Sequence, residues 1–127
     1  MSEKSVAQKL GLKPGRSLFI KGAPVAIDAM LGAIPDGAEI TTAGAGPFVL
    51  MLVFARDRAA LVKTLPPCKT KLAPGGALWL AYAKATSSLA TDINRDSIRD
   101  YVPTIGLDTV SQIAIDGDWS ALRLKAV

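Results

Sequence analysis

Apolar residues along this chain either fall in consecutive runs or recur every three or four positions. Leu18, Phe19 and Ile20 are consecutive within 16–21, as expected of a strand buried on both faces. Ile27, Met30, Leu31 and Ile34 follow at helical spacing. Pro24 suits the first turn of that helix, where its missing N–H would have no partner anyway. Pro35-Asp36-Gly37 breaks the helix, a short strand is expected over 38–42, and a turn over 43–47. Residues 48–55 are the most hydrophobic segment and read as a central strand. A helix is expected over 57–65, with Ala60, Leu61 and Leu65 inward, stopped by Pro66-Pro67. A short piece, 69–72, then precedes the turn Pro74-Gly75-Gly76. Residues 77–83 read as another buried strand and 84–91 as a polar loop. Asp92 or Asn94 caps the next helix, with Ile98, Tyr101, Val102 and Ile105 on one face and Gly106 at its exit. Residues 109–115 and 119–125 form a β-hairpin about Asp116-Gly117-Asp118. Ahead of all these, 5–10 is a short helix ended by Gly11.

Strands alternating with helices predict an α/β fold with a mainly parallel sheet covered on both faces. The terminal hairpin adds an antiparallel end. The five residues 43–47 leave two readings. Either 38–42 is a very short strand and the chain slips under the sheet, or 38–42 and 48–55 pair as an antiparallel hairpin. The first is preferred.

A length of 127 residues, half of them hydrophobic and a fifth charged, fits one domain over 1–127 with a packed core. The single Cys68 cannot form an internal disulfide, which fits a reducing compartment. Glu3, Lys4 and Lys9 stand where a secretory signal would need an apolar stretch. The longest apolar run, 47–55, is far short of the ~20 residues that span a bilayer. A cytoplasmic protein without a membrane segment is expected.

Charge and chemistry narrow the picture further. The net charge is +4, with +5 on residues 1–72 and −1 on 73–127. That bias favours an acidic partner, although a solvated basic surface accounts for it as well. Aromatic residues are only 6% and no Lys/Arg run is interleaved with them, which argues against nucleic-acid binding. Histidine is absent. That removes a Ser-His-Asp or Cys-His pair and the commonest general base near neutral pH. With one cysteine as well, no metal site is expected.

Leu12-Lys13-Pro14-Gly15 leads into the first strand and Leu72-Ala73-Pro74-Gly75-Gly76 into the strand at 77–83. This layout resembles class I S-adenosylmethionine-dependent methyltransferases, in which such phrases introduce the first and fifth strands. The order, the spacing and the closing hairpin carry the resemblance over 12–127. It implies a reduced methyltransferase-like (Rossmann-like) three-layer sandwich. One helix–strand–helix insertion of that family has no room in 43–47. The chain also resembles a bacterial family of short proteins catalogued as a domain of unknown function. Members share this layout, a Lys- or Ser-rich loop after the fifth strand, and a late Trp-Ser.

The resemblance implies a glycine-rich turn after the first strand and an acidic residue ending the second. Here the turn is Gly22-Ala23-Pro24 and the second strand ends in Thr41-Thr42. S-adenosylmethionine is therefore the alternative ligand, held at Gly22, Ala23 and Thr42, with Asp28 turned to solvent. No Asn/Asp-Pro-Pro-aromatic phrase follows 48–55, where Ala55-Arg56-Asp57-Arg58 stands instead.

In an open parallel sheet, ligands bind beyond the carboxyl ends of the strands near the switch point. That point is expected between 16–21 and 48–55. The loops there bring Arg56, Lys84, Ser87, Ser88 and Thr91 toward helix N-termini, the ingredients of an anion site. The alternative is that they solvate loop tips. The expected function is a non-catalytic binding or interaction module for a small anionic ligand or a protein partner, with no catalytic residue assigned. The alternatives are a divergent methyltransferase and an oligomeric or partner-binding protein. Gly44-Ala45-Gly46 precedes a strand and lacks a third glycine, so it is read as a turn and not a dinucleotide loop. Cys68, among Lys63, Lys69 and Lys71, is read as inert despite those cations. Trp79 is assigned to the core, Trp119 to stapling the hairpin, and Tyr82 to a buried place near the functional end of its strand.

Overall fold

Side chains alternate across a strand, so an unbroken apolar run supplies both faces of a sheet at once. A computed structural model describes residues 5–23, 27–44, 46–88 and 90–126. Its six strands are β1 (Ser17–Lys21), β2 (Glu39–Thr41), β3 (Phe48–Phe54), β4 (Leu72–Ala83), β5 (Leu107–Ala114) and β6 (Trp119–Ala126). They form one sheet in the order β2-β1-β3-β4-β6-β5. β2, β1, β3 and β4 are mutually parallel, and β6 pairs antiparallel with both β4 and β5. The fold is the expected methyltransferase-like α/β sandwich with a terminal antiparallel hairpin.

The odd and even positions of each run go to separate cores. Phe19, Met51, Val53, Leu78 and Leu80 pack on one face with α3 (Arg58–Thr70), α4 (Arg95–Tyr101) and the 3₁₀ turn Val102–Ile105. Leu18, Ile20, Leu50, Leu52, Phe54 and Trp79 pack on the other with α1 (Val6–Leu10) and α2 (Ile27–Leu31). Truncating any one of these buried side chains to alanine costs about 2–5 kcal/mol. Trp79 also donates its indole N–H to Leu10 O at 2.8 Å, which fastens α1 to the sheet.

β2 pairs with one edge of β1 and β3 with the other, both in parallel. The chain therefore crosses between them beneath β1, and the hairpin alternative is excluded. Ala45 and Pro24 lie outside the described residues, as does any helical first turn at Pro24. α2 ends at Leu31, sooner than Pro35 required. Gly32 follows with φ +70° and Ile34 is 40% exposed, so that apolar position is not part of the buried face.

Two expectations from local signals are corrected. The prolines do not stop α3, which runs through Pro66 and Pro67 to Thr70 and absorbs the first half of the 69–72 piece. The buried stripe Leu61, Leu65 and Cys68 continues across them at helical spacing. The carbonyls that lose a donor belong to the exposed residues Val62 and Lys63, where water can replace it. Likewise β4 begins at Leu72, not Ala77. Phe48 pairs with Leu72 and Leu50 with Ala77, so residues 73–76 bulge out opposite Val49 alone. Gly76 permits this, since a Cβ there would approach Ala73 O at 3.0 Å and Val49 O at 3.1 Å.

Candidate functional site

The carboxyl ends of β1, β3 and β4 carry the three loops expected to converge. Gly22 follows β1 with φ +74°, and a Cβ added there would stand 2.9 Å from Phe54 O at the end of β3. This glycine is required by the close approach of the two strand ends. Ala23 is half-buried and packs against the apolar cluster on the α1–α2 face.

Beyond β3, α3 opens with Asp57 as its N-cap, accepting from Ala60 N at 2.8 Å. A second carboxylate, Asp92 Oδ1, accepts from Arg58 N at 2.8 Å. The exposed donors and partial positive charge of this helix end are thus met by two of the chain's own carboxylates. α4 is capped in the same self-contained way: Asn94 Oδ1 accepts from Ser97 N, and Ser97 Oγ accepts from Asn94 N, both at 2.9 Å. Of the two cap candidates read from sequence, Asn94 caps α4 and Asp92 serves α3.

The loop after β4 is pinned at several points. Lys84 N donates to Asp118 O at 2.8 Å, and Ser87 Oγ donates to Asp118 Oδ1 at 2.7 Å. Thr91 Oγ1 donates to the carbonyl of Arg56. The loop is thereby tied to the hairpin turn at one end and to the end of β3 at the other. Of the five residues read as an anion site, Lys84 alone lines the cleft at this edge. Ser87 and Thr91 spend hydroxyl protons on the chain itself, and Arg56 and Ser88 are exposed.

That cleft has a volume of about 480 Å³. Tyr82 of β4 and Lys84 of the loop after it meet Asn94, Arg95 and Asp96 at the start of α4, with Gln112 of β5 and Ser120 of β6 opposite. Tyr82 and Ser120 are directly opposed in the β4–β6 register. Burial raises the Tyr82 phenol above its ordinary pKa, with Arg95 and the facing Ser120 hydroxyl pulling the other way. Asp96 leans to the cations of its own helix, paired with Arg99 and 3.9 Å from Arg95 Nε. Asn94, Arg95, Gln112 and Ser120 were missed as site residues. Ser120 carried a signal, as half of the late Trp-Ser, but its partner across the sheet was not readable.

The resemblance would place an adenosyl group beyond β1, beside Thr41 and Thr42. Thr41 Oγ1 donates to Ala43 O at 3.0 Å and Thr42 is exposed. No Asp or Glu occurs between Glu39 and Asp57. A ribose diol finds no carboxylate on that stretch, and the close approach of Phe54 O already accounts for the glycine at 22 without a ligand. These residues do not fit the cofactor in the way the resemblance implies, and no step is assigned to it.

Other candidate groups resolve structurally. Cys68 is 3% exposed, and burial raises its pKa despite the nearby Lys71 and Lys21, so it is no activated thiol. Trp119 packs edge-on against Phe54 with centroids 5.2 Å apart, stapling the hairpin to β3. Asp28 is exposed. Among the described residues, no three His, Cys, Asp or Glu side chains gather as metal ligands, and no helix is long and apolar enough to cross a membrane.

Solved structures similar to this one include methyltransferases. An S-adenosylmethionine-dependent methyltransferase from Aquifex aeolicus superposes with a TM-score of 0.66 at 11% identity, over 96% of this chain and 88% of that one. The ribosomal protein L11 methylase of Lactobacillus delbrueckii subsp. bulgaricus gives 0.59 at 15% identity, over 94% and 73%. The 1,6-didemethyltoxoflavin-N1-methyltransferase of Burkholderia thailandensis, with bound S-adenosylhomocysteine, gives 0.58 at 9%, over 96% and 75%. At such identities the likeness establishes the fold. No protein with a curated description matches in sequence. A family model does match, over residues 42–127, from β3 through the pinned loop and the cleft to the final strand, and by that match the chain belongs to the family described as protein of unknown function DUF3052.

Proposed function

We propose that this chain is a methyltransferase-like binding domain that takes a small anionic ligand, a phosphate or carboxylate, in the cleft beyond β4 and β6. It does so without catalysing methyl transfer. The observation that carries this reading is the convergence of Lys84 and Arg95 with the Tyr82 and Ser120 hydroxyls on one concave surface. Two cations and neutral donors in a cleft are what an anion requires. The Arg56, Ser87 and Thr91 region then serves as the rigid wall that holds Lys84 in place.

A divergent S-adenosylmethionine-dependent methyltransferase is the second reading. It is favoured by the fold shared with a structure that holds S-adenosylhomocysteine. It is weakened by the uncharged end of β2.

Thermal melting with inorganic phosphate, citrate, S-adenosylmethionine and S-adenosylhomocysteine separates the two. A ligand at one hundred times its Kd stabilises the native state by about 2.7 kcal/mol, a rise of several degrees in a domain this size. The anion reading expects a rise with phosphate or citrate that is lost in Lys84→Ala and in Arg95→Ala. A rise with the adenosyl compounds alone would replace it with the second reading.

A further inference from the structure

We infer that the opposite edge of the sheet, at the amino ends of β1, β3 and β4, is a docking surface for an acidic peptide segment of a partner protein that also carries apolar side chains. Two concavities open there, of about 420 and 370 Å³. Lys13, Arg16 and Arg123 line the first, and Lys69, Arg123 and Lys125 the second. They meet at Gly75, the crest of the β4 bulge, and at Arg123, so the two form one basic trough. Among the described residues, no carboxylate lines either half. Among the described residues, none of these five cations is in an ion pair; the ion pairs there join Arg95 and Arg99 to Asp96. Lys69 donates to the carbonyl of Ile105, which leaves its charge uncompensated. The nearest carboxylate in register is Asp108, opposite Lys125, and its Oδ1 accepts from Thr109 N.

The trough is also apolar where it would meet a partner. Val49 is 55% exposed in the first half and Val110 50% exposed in the second. Both stand at sheet irregularities, Val49 opposite the 73–76 bulge and Val110 between Thr109 and Ser111 where the β5–β6 register shifts. Two exposed valines set among unpaired cations match a ligand that alternates carboxylates with apolar groups. Among the described residues, no aromatic ring on which bases could stack lines the trough, which disfavours single-stranded nucleic acid. Phosphate alone would leave the valines uncovered.

The test is fluorescence anisotropy with the full chain and a short fluorescein-labelled peptide of alternating glutamate and leucine. A glutamate–serine peptide of equal charge and an oligothymidylate are run beside it. Saturable binding of the glutamate–leucine peptide is expected, weakening with salt. It should fall at least about tenfold in Arg123→Glu, as for loss of a central charge contact. It should be unchanged in Lys84→Ala, which alters only the cleft at the other edge. Arg123 is exposed, so the variant should melt as the parent does. A second reversal, Lys13→Glu, should weaken binding in the same direction. Absence of saturable binding, or equal binding by the parent and Arg123→Glu, would overturn the inference. So would equal affinity for the glutamate–serine peptide or the oligothymidylate, which would show charge attraction without the apolar component.

Discussion

Tyr82 and Ser120 stand directly opposite each other on β4 and β6, and both line the cleft beyond those strands. Tyr82 is 4% exposed and Ser120 3%. Ser120 is the one hydroxyl-bearing serine or threonine buried among the described residues. Ser120→Ala should cost no more than about 1 kcal/mol, because the phenol opposite it also lines the open cleft, where water can take the place of the hydroxyl. Tyr82→Phe should cost a similar amount. The double variant should depart from the sum of the two singles, because the residues are cross-strand neighbours. Urea denaturation of the four proteins measures this.

Burial sets an alkaline limit on stability. Cys68 and Tyr82 both have raised pKa values in the folded protein, chiefly from desolvation. The native state therefore keeps protons that the unfolded chain releases. The stabilising contribution is whole below the unfolded values, about pH 9 for the thiol and about pH 10 for the phenol, and is lost as pH rises through the folded ones. Denaturation midpoints should fall above about pH 9, and in Tyr82→Phe the part of the decline above about pH 10 should shrink. Thiol reagents at neutral pH should modify Cys68 only as fast as the protein opens.

Gly22→Ala should be far more harmful than Gly15→Ala. Both glycines have positive φ, which costs an alanine about 1–2 kcal/mol. At Gly15 nothing lies within 4 Å of the new Cβ, whereas at Gly22 it meets Phe54 O at 2.9 Å. Thermal melting should show the larger drop at Gly22 in the absence of any ligand. An equal drop would mean that the close approach of β1 and β3 is not what requires the glycine.

The two carboxylates at the start of α3 should be separable. Asp57→Ala removes a side-chain cap and should cost about 1 kcal/mol. Asp92→Ala frees the end of the loop after β4 from Arg58 N and should cost less, since that N–H can turn to water. Hydrogen exchange should show the loop opening faster in Asp92→Ala and little changed in Asp57→Ala.

The sequence by itself determined the kind and order of the elements. Runs such as Leu18-Phe19-Ile20 and Ala81-Tyr82-Ala83, and the spacing of Ile98, Tyr101 and Val102, are local patterns that the backbone periods of two and 3.6 turn directly into strands and helices. The Asn94 cap, the Asp116-Gly117-Asp118 turn and the closing hairpin were legible for the same reason. Only the tertiary structure decided where local signals compete with packing. Pro66 and Pro67 read as a stop, yet the helix continues because Leu61, Leu65 and Cys68 are buried on the same side of it. Pro74-Gly75-Gly76 reads as a turn before a strand, yet pairing with β3 makes it a bulge inside one. The cleft was half visible. Lys84 sits on a recognisable loop, but Arg95, Gln112 and Ser120 join it through strand pairing and helix docking between distant segments. Register and docking are set by which faces can be buried together, and no local window of sequence contains that information.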